Sequence, residues 1–434
     1  MMNQPHVTVE PRAAEGALAS SHSIGTIPAA WQTPVPARIE VTAELEDTET
    51  TTTPLSKHQP DQTALHTFSR KTKIIATLGP ATQNGDVLRS VLEAGVSVFR
   101  VNLACLSRES ALKAVYAIRS ISTELQRPVS LLLETQSSSD RVSDSPAITE
   151  SDWADIRFGL EAGVDWLALT AGCDGKAIRQ LRQFLPEQKK NTLGILARIE
   201  NPDAVVALDQ IIQEADGVIL SSINATNESP DAETLRKWRL IVQKCVSARK
   251  LVVITAGVSA GVISALSAQP DALLLAEETS VGSNPLQSVQ TLDAAIRREE
   301  ANDLREPPAA IALATKQDQT VAAAVEQANE TKSEAIVVFT RLGNSAALCS
   351  ALRPRQSRVI VFTPDARLAR HLRLRYALES IVLPFAARPK ATIVAAEKVL
   401  RERQLVAPGA KVVFITDRID QDGRASCVLV REIP

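Results

Sequence analysis

Leu193-Gly194-Ile195-Leu196-Ala197-Arg198-Ile199-Glu200-Asn201 is the stretch that decides the fold. Its first part is apolar throughout, and its end is charged. That pattern reads as a strand buried on both faces, as in a parallel sheet. Arg198 and Glu200 are two apart, so on a strand they point to the same side. In a closed barrel of parallel strands the C-terminal strand ends form the active face. A guanidinium and a carboxylate would then stand side by side at the barrel mouth. An ion pair that only caps the strand is the bland alternative, since structural networks also gather charge.

Working outward, the chain alternates strand and helix from Lys71 onward. Strands are expected at Lys73–Leu78, Val96–Leu103, Val129–Thr135, Asp165–Thr170, the opening run, Gly217–Ser221, Leu251–Ala256 and Ala272–Ala276. Helices are expected at Ala81–Ala94, Arg108–Leu125, Trp153–Glu161, Lys176–Leu185, Ala204–Glu214, Ala232–Ser247, Ala260–Ala268 and Leu286–Ala301. Eight such units make one (β/α)8 barrel of the TIM type, over residues 70–304. Pro307-Pro308 marks a boundary. Residues 309–434 alternate again and are expected to form a smaller doubly wound α/β domain.

Residues 1–69 differ in kind. They are rich in Pro, Thr, Ala and Ser, with an acidic cluster at Glu44–Glu49 and no apolar periodicity. Such a segment is expected to be a disordered tail. It shows neither a signal peptide nor the acid-poor composition of a transit peptide. The formal net charge of −2 gives no basic excess for nucleic acid or an anionic membrane. No apolar run is long enough to span a membrane. Five scattered cysteines form no CxxC pair, so neither a zinc site nor a disulfide framework is expected, and a reducing cytoplasm fits.

Several motifs then fall in one order. Lys71-Thr72-Lys73-Ile74-Ile75-Ala76-Thr77-Leu78-Gly79-Pro80-Ala81-Thr82 resembles the opening strand of the pyruvate kinase family, and Phe99-Arg100-Val101-Asn102 its second strand. Arg198-Ile199-Glu200-Asn201 is similar to the family's Lys-Ile-Glu-Asn run. Glu278-Thr279-Ser280-Val281-Gly282 with Pro285 resembles its Gly-Glu-Thr-Ala-x-Gly-x-x-Pro signature. Thr340–Ala346 and Pro408–Val412 resemble parts of its C-terminal domain. The resemblance implies phosphoryl transfer between phosphoenolpyruvate and ADP, with Mg2+ and K+. It places Arg198 at the catalytic lysine, Arg100 at a phosphate contact and Glu200 at a metal ligand. It further places Asn102, Glu134 and Thr135 beside the cations. A regulatory phosphate pocket is implied at Thr340, Gly343 and Ser345, for a phosphorylated small molecule. There the bland alternative is an ordinary strand-to-helix turn with Ser345 as N-cap.

The departures from the family pattern carry the functional expectation. Arginine replaces the catalytic lysine at 198, which is not conservative at a packed site. The second metal-ligating aspartate of the family becomes Asn224, which removes a negative charge where a hard cation needs it. The family's Asp-Thr-Lys-Gly run reads Glu134-Thr135-Gln136-Ser137. The family's seventh-strand threonine aligns with Ala256, with Thr255 beside it and a one-residue slip open. Only a polar link, Gln136–Asp152, stands where most of the family inserts a lid domain that excludes water. The segment between the seventh and eighth strands is short, which argues against the usual tetramer. A pseudoenzyme that binds a ligand or partner is therefore expected. It would be a homo-oligomer or pair with an intact paralogue. The alternatives are an impaired but active pyruvate kinase, or a barrel enzyme acting on another anionic substrate.

Overall fold

The computed structural model describes residues 70–136, 148–170, 174–185, 193–200, 202–221, 230–257, 261–275, 277–302, 310–420 and 423–434. Eight parallel strands close into a barrel in sequence order. They are β1 (Lys73–Thr77), β2 (Val98–Asn102), β3 (Ser130–Glu134), β4 (Trp166–Leu169), β5 (Gly194–Ile199), β6 (Gly217–Leu220), β7 (Leu251–Thr255) and β8 (Ala272–Leu275). Each lies at an expected position. The residues 1–69 segment falls outside the described residues.

The period of two sorts each strand into two sets. Ile74, Phe99, Val101, Leu131, Leu133, Leu167, Ile195 and Ala197 pack outward with the helices in one core. Ile75, Val98, Leu132, Trp166, Leu196, Ile219, Val253 and Leu274 fill the barrel itself. Trp166 is fully buried there. Its neighbour across the sheet is Gly194, where a Cβ would come within 2.1 Å of the indole. Gly194 thus leaves the space that admits the ring, at the start of β5.

Local chemistry adjusts several helix ends. The first helix starts later than expected, at Gly85, because the Asn84 side chain accepts from the Asp86 amide and caps it. The helix before β4 starts earlier, at Glu150, because Thr149 and Asp152 form a reciprocal capping box. The expected helix over Ala204–Glu214 is two pieces, Pro202–Val206 and Leu208–Glu214. In the second domain the helix Ala366–His371 tightens into a 3-10 turn, Leu372–Leu374.

The C-terminal domain is built on a five-stranded mixed sheet of order β11-β10-β9-β12-β13. Its strands are β9 (Ala335–Phe339), β10 (Arg358–Thr363), β11 (Leu378–Val382), β12 (Lys411–Asp420) and β13 (Gly423–Glu432). Only β13 runs antiparallel, paired with β12 along its length. Ile336, Val338, Val359 and Val361 pack on one face with the helix Lys316–Glu330. Val337, Ile360 and Phe362 pack on the other with the helix Pro389–Glu402. Helices on both faces make the domain doubly wound, as expected, with an antiparallel edge.

The 3-10 turn enters the base of the barrel. Leu374 is fully buried and belongs to the barrel-filling cluster. His371 stacks on Trp166 with ring centroids 4.2 Å apart and planes 12° off parallel. The Trp166 indole N–H donates to the His371 carbonyl at 3.3 Å. Buried charges surround this plug. Lys73 Nζ lies 3.2 Å from Glu379, and Arg373 pairs with the same carboxylate. Lys73 and Arg373 are each only 1% exposed. Burial pushes the Lys73 ammonium down to about 8. Burial alone would raise the Glu379 carboxyl, but Arg373, Lys73 and Arg127 outweigh it and hold it at about 2.

Candidate active site

The C-terminal strand ends form the mouth. Parity puts Thr77, Arg100, Glu134, Arg198 and Thr255 in the same inward set as the barrel-filling residues of their strands. Arg100 Nε donates to Thr77 Oγ1 at 2.9 Å, and Arg100 Nη1 to Glu134 Oε2 at 2.6 Å. The other oxygen of Glu134 accepts from Arg198 Nη1, and Arg198 Nε donates to Glu200. One alternating chain therefore runs Thr77–Arg100–Glu134–Arg198–Glu200. Arg100 and Glu134 are each 6% exposed, whereas Glu200 lies at the solvent. Burial works against the charge on Arg198, but Glu134 and Glu200 prevail and hold its pKa above the ordinary arginine value.

The pair read from the opening run is present, then, but it is half of a larger arrangement. Glu134 was singled out as a candidate cation ligand, and it is the carboxylate shared by both arginines. Thr77 was missed as a site residue. Its hydroxyl donates to the Leu275 carbonyl at 2.7 Å while accepting from Arg100, and its amide donates to Thr279 Oγ1 at 2.8 Å. Thr279 belongs to the quoted Glu278–Gly282 run, which forms part of a short helix, Glu277–Ser280. The signal for Thr77 was available: it is a polar residue in phase with Ile75 at the end of a strand.

The remaining candidates are placed as follows. The Asn102 side chain turns back and accepts from the Ala104 amide at 3.0 Å. Thr135 Oγ1 lies 3.2 Å from Thr170 Oγ1, and Thr170 donates to the Thr135 carbonyl. Thr255 Oγ1 lies 3.4 Å from Ser221 Oγ. Ala256 packs in the outer core with Ile254. The open slip on β7 therefore resolves in favour of Thr255 as the inward residue. Asn224 lies outside the described residues.

Magnesium requires free oxygen donors around one point. Both carboxylates at this mouth already accept from Arg198, and Glu134 from Arg100 as well. Among the described residues no group of three or more His, Cys, Asp or Glu comes together in a way that could hold a metal ion. The described residues of the mouth do not fit a divalent cation.

The C-terminal loop is a separate place. Thr340 Oγ1 accepts from the Gly343 amide at 2.8 Å, so the loop closes on its own hydroxyl. Gly343, at φ +88°, occupies the N-cap position of the helix Asn344–Ala351. That left-handed conformation favours glycine. Ser345 is consequently not the cap: it lies inside the first turn, and its Oγ accepts from Gln317 Nε2 at 3.3 Å. Arg341 sits over the Phe385 ring at 5.0 Å, and Leu342 is exposed.

Comparison with known proteins agrees with this architecture. The model of the pyruvate kinase barrel domain matches residues 69–145 and 140–289, and that of the pyruvate kinase alpha/beta domain matches residues 318–430. The chain is 27% identical over 287 residues to pyruvate kinase isozyme G, chloroplastic, of Nicotiana tabacum. That match covers 62% of this chain but only 51% of the tobacco protein, so the chain spans about half the length of that relative. The corresponding isozyme of Ricinus communis is 27% identical over 286 residues, covering 62% of this chain and 68% of that protein. A pyruvate kinase of Agrobacterium vitis is 21% identical over 457 residues, covering 80% of this chain and 93% of that protein. With both domain models matched in order on a closed barrel and a doubly wound sheet, the chain belongs to the pyruvate kinase family.

Proposed function

We propose that this chain is a pyruvate kinase-like pseudoenzyme that acts by binding a phosphorylated ligand or a partner chain. The observation that carries this reading is the double ion pair of Arg198. Its guanidinium engages Glu134 and Glu200 together, so the groups that would position a metal and face the transferring phosphoryl group are spent on one another. Phosphoryl transfer rests on positioning and on stabilising charge as it develops. Loss of a single preorganised donor costs about 3–4 kcal/mol of transition-state stabilisation. Only the short sequence Gln136–Asp152 stands where most of the family carries a water-excluding lid, and without such exclusion the electrostatics of the site are weaker still. Partners under this reading are a second copy or an intact paralogue, and the compartment is the cytoplasm. Among the described residues no helix is long and apolar enough to cross a membrane.

An impaired but active kinase is the second reading. It is favoured by the two cations, Arg100 and Arg198, that still stand at the mouth. Pyruvate release from phosphoenolpyruvate and ADP, with magnesium and potassium and coupled to lactate dehydrogenase, separates the two. The expected turnover is far below about 1 per second, the lower end of ordinary enzymes. A value at or above it overturns the pseudoenzyme reading. In a parallel arm, sugar phosphates at millimolar concentration should raise the melting temperature through the Thr340–Ser345 loop.

A further inference from the structure

The disagreement between this mouth and a divalent cation has a specific cause. Arg198 Nη1 reaches Glu134 and Arg198 Nε reaches Glu200. A single planar group spans both carboxylates, which come from β3 and the end of β5. These strands are not neighbours, because β4 lies between them. A hard divalent ion is commonly held by one or two carboxylates plus waters, and this pair meets that description once the guanidinium is removed. The fork delivers positive charge through directed N–H donors and does not leave.

We propose that Arg198 is a built-in replacement for the divalent cation, and that Glu134 and Glu200 form a latent metal site closed by its side chain. The inference rests on the reading of the mouth as a degenerate phosphotransfer site, and it adds that one side chain is what excludes the metal. Removing Arg198 does not strand a buried charge. Glu134 keeps Arg100 at 2.6 Å, and the Glu200 side chain is 42% exposed. An Arg198→Met variant is therefore expected to fold.

Mn2+ titration followed by electron paramagnetic resonance tests the proposal on the full chain. The unmodified protein should show no saturable site below about millimolar, and Arg198→Met should bind at least about tenfold more tightly. Arg198→Lys keeps a charge but not the two-pronged reach, and should gain less than the methionine variant. Adding Glu200→Gln to Arg198→Met removes an exposed carboxylate, leaves Glu134 paired with Arg100, and should abolish the gain. Three results overturn the inference: tight Mn2+ binding by the unmodified chain, no gain in either Arg198 variant, or a gain that survives Glu200→Gln. Turnover by the unmodified chain removes the pseudoenzyme reading whatever the titration shows. Mn2+ binding by an inert unmodified chain removes this inference alone.

Discussion

The two ends of the barrel each hold a network of buried charge, and they are built on opposite terms. At the mouth the charges alternate, with two arginines against two glutamates. Thr77 ends the chain on one side and exposed Glu200 on the other. At the base, among the described residues, the Glu379 carboxylate answers both Lys73 and Arg373, with Arg127 also acting on it. The mouth can lose its exposed member, Glu200, with Arg198 still paired to Glu134 and water available in its place. The base is sealed by Leu374 and the stacked His371–Trp166 pair. Removing a member there leaves charge with nowhere to go. The same ingredients thus make a site at one end and a joint at the other. Solvent access and charge balance decide which.

The largest effect is expected from Glu379→Gln. Leaving Lys73 and Arg373 buried without a carboxylate should cost about 3–5 kcal/mol, read by urea unfolding. A loss under about 1 kcal/mol would mean the base is not the rigid joint described.

Acid titration sharpens the same contrast. Burial, aided by Arg375, pushes the His371 imidazole down to about 4. The unfolded chain binds that proton near pH 6.5 and the folded chain only near 4, so folding favours the unprotonated form. The contribution is complete above about 6.5 and is lost as pH falls through 4, to at most about 3 kcal/mol. Glu379, held at about 2, loses its contribution in a lower window, below about 4.3. His371→Leu should flatten the stability profile between pH 4 and 6.5 and leave the lower limb unchanged. A profile still sloped in that window would assign the slope to other groups.

The smallest effect is expected at the mouth. Glu200→Gln leaves Arg198 paired with Glu134 and Glu134 with Arg100, and the lost partner is exposed, so the cost should be about 1 kcal/mol or less. Measured beside Glu379→Gln, a loss of equal size would erase the distinction between the two ends.

Much of the fold was legible because it rests on periods of two and 3.6. Eight apolar strands at even spacing admit few arrangements, and β5 announced its inward set through Gly194, Leu196 and Arg198. Errors gathered at helix ends, where single caps such as Asn84 and Gly343 decide the boundary. The site was legible in part. Arg198 and Glu200 follow from parity along one strand, and motif order marked Arg100 and Glu134. The base network of Lys73, Arg373 and Glu379 was not foreseen. Lysine within an apolar strand and arginine in a short turn carry no local sign that they meet across hundreds of residues.

The sequence by itself determined which side chains share the inner face of each strand, because neighbouring residues on a strand point to opposite sides. It also determined membership of the family through the order of its motifs. Only the tertiary structure decided that Glu134 would bridge Arg100 and Arg198, since Glu134 and Arg198 lie 64 residues apart. It alone decided, too, that Leu374 would plug the barrel. Closing the barrel brings β3 and β5 around one axis. Docking the second domain then presses its 3-10 turn against Trp166. Both are consequences of packing geometry, which no periodicity along the chain encodes.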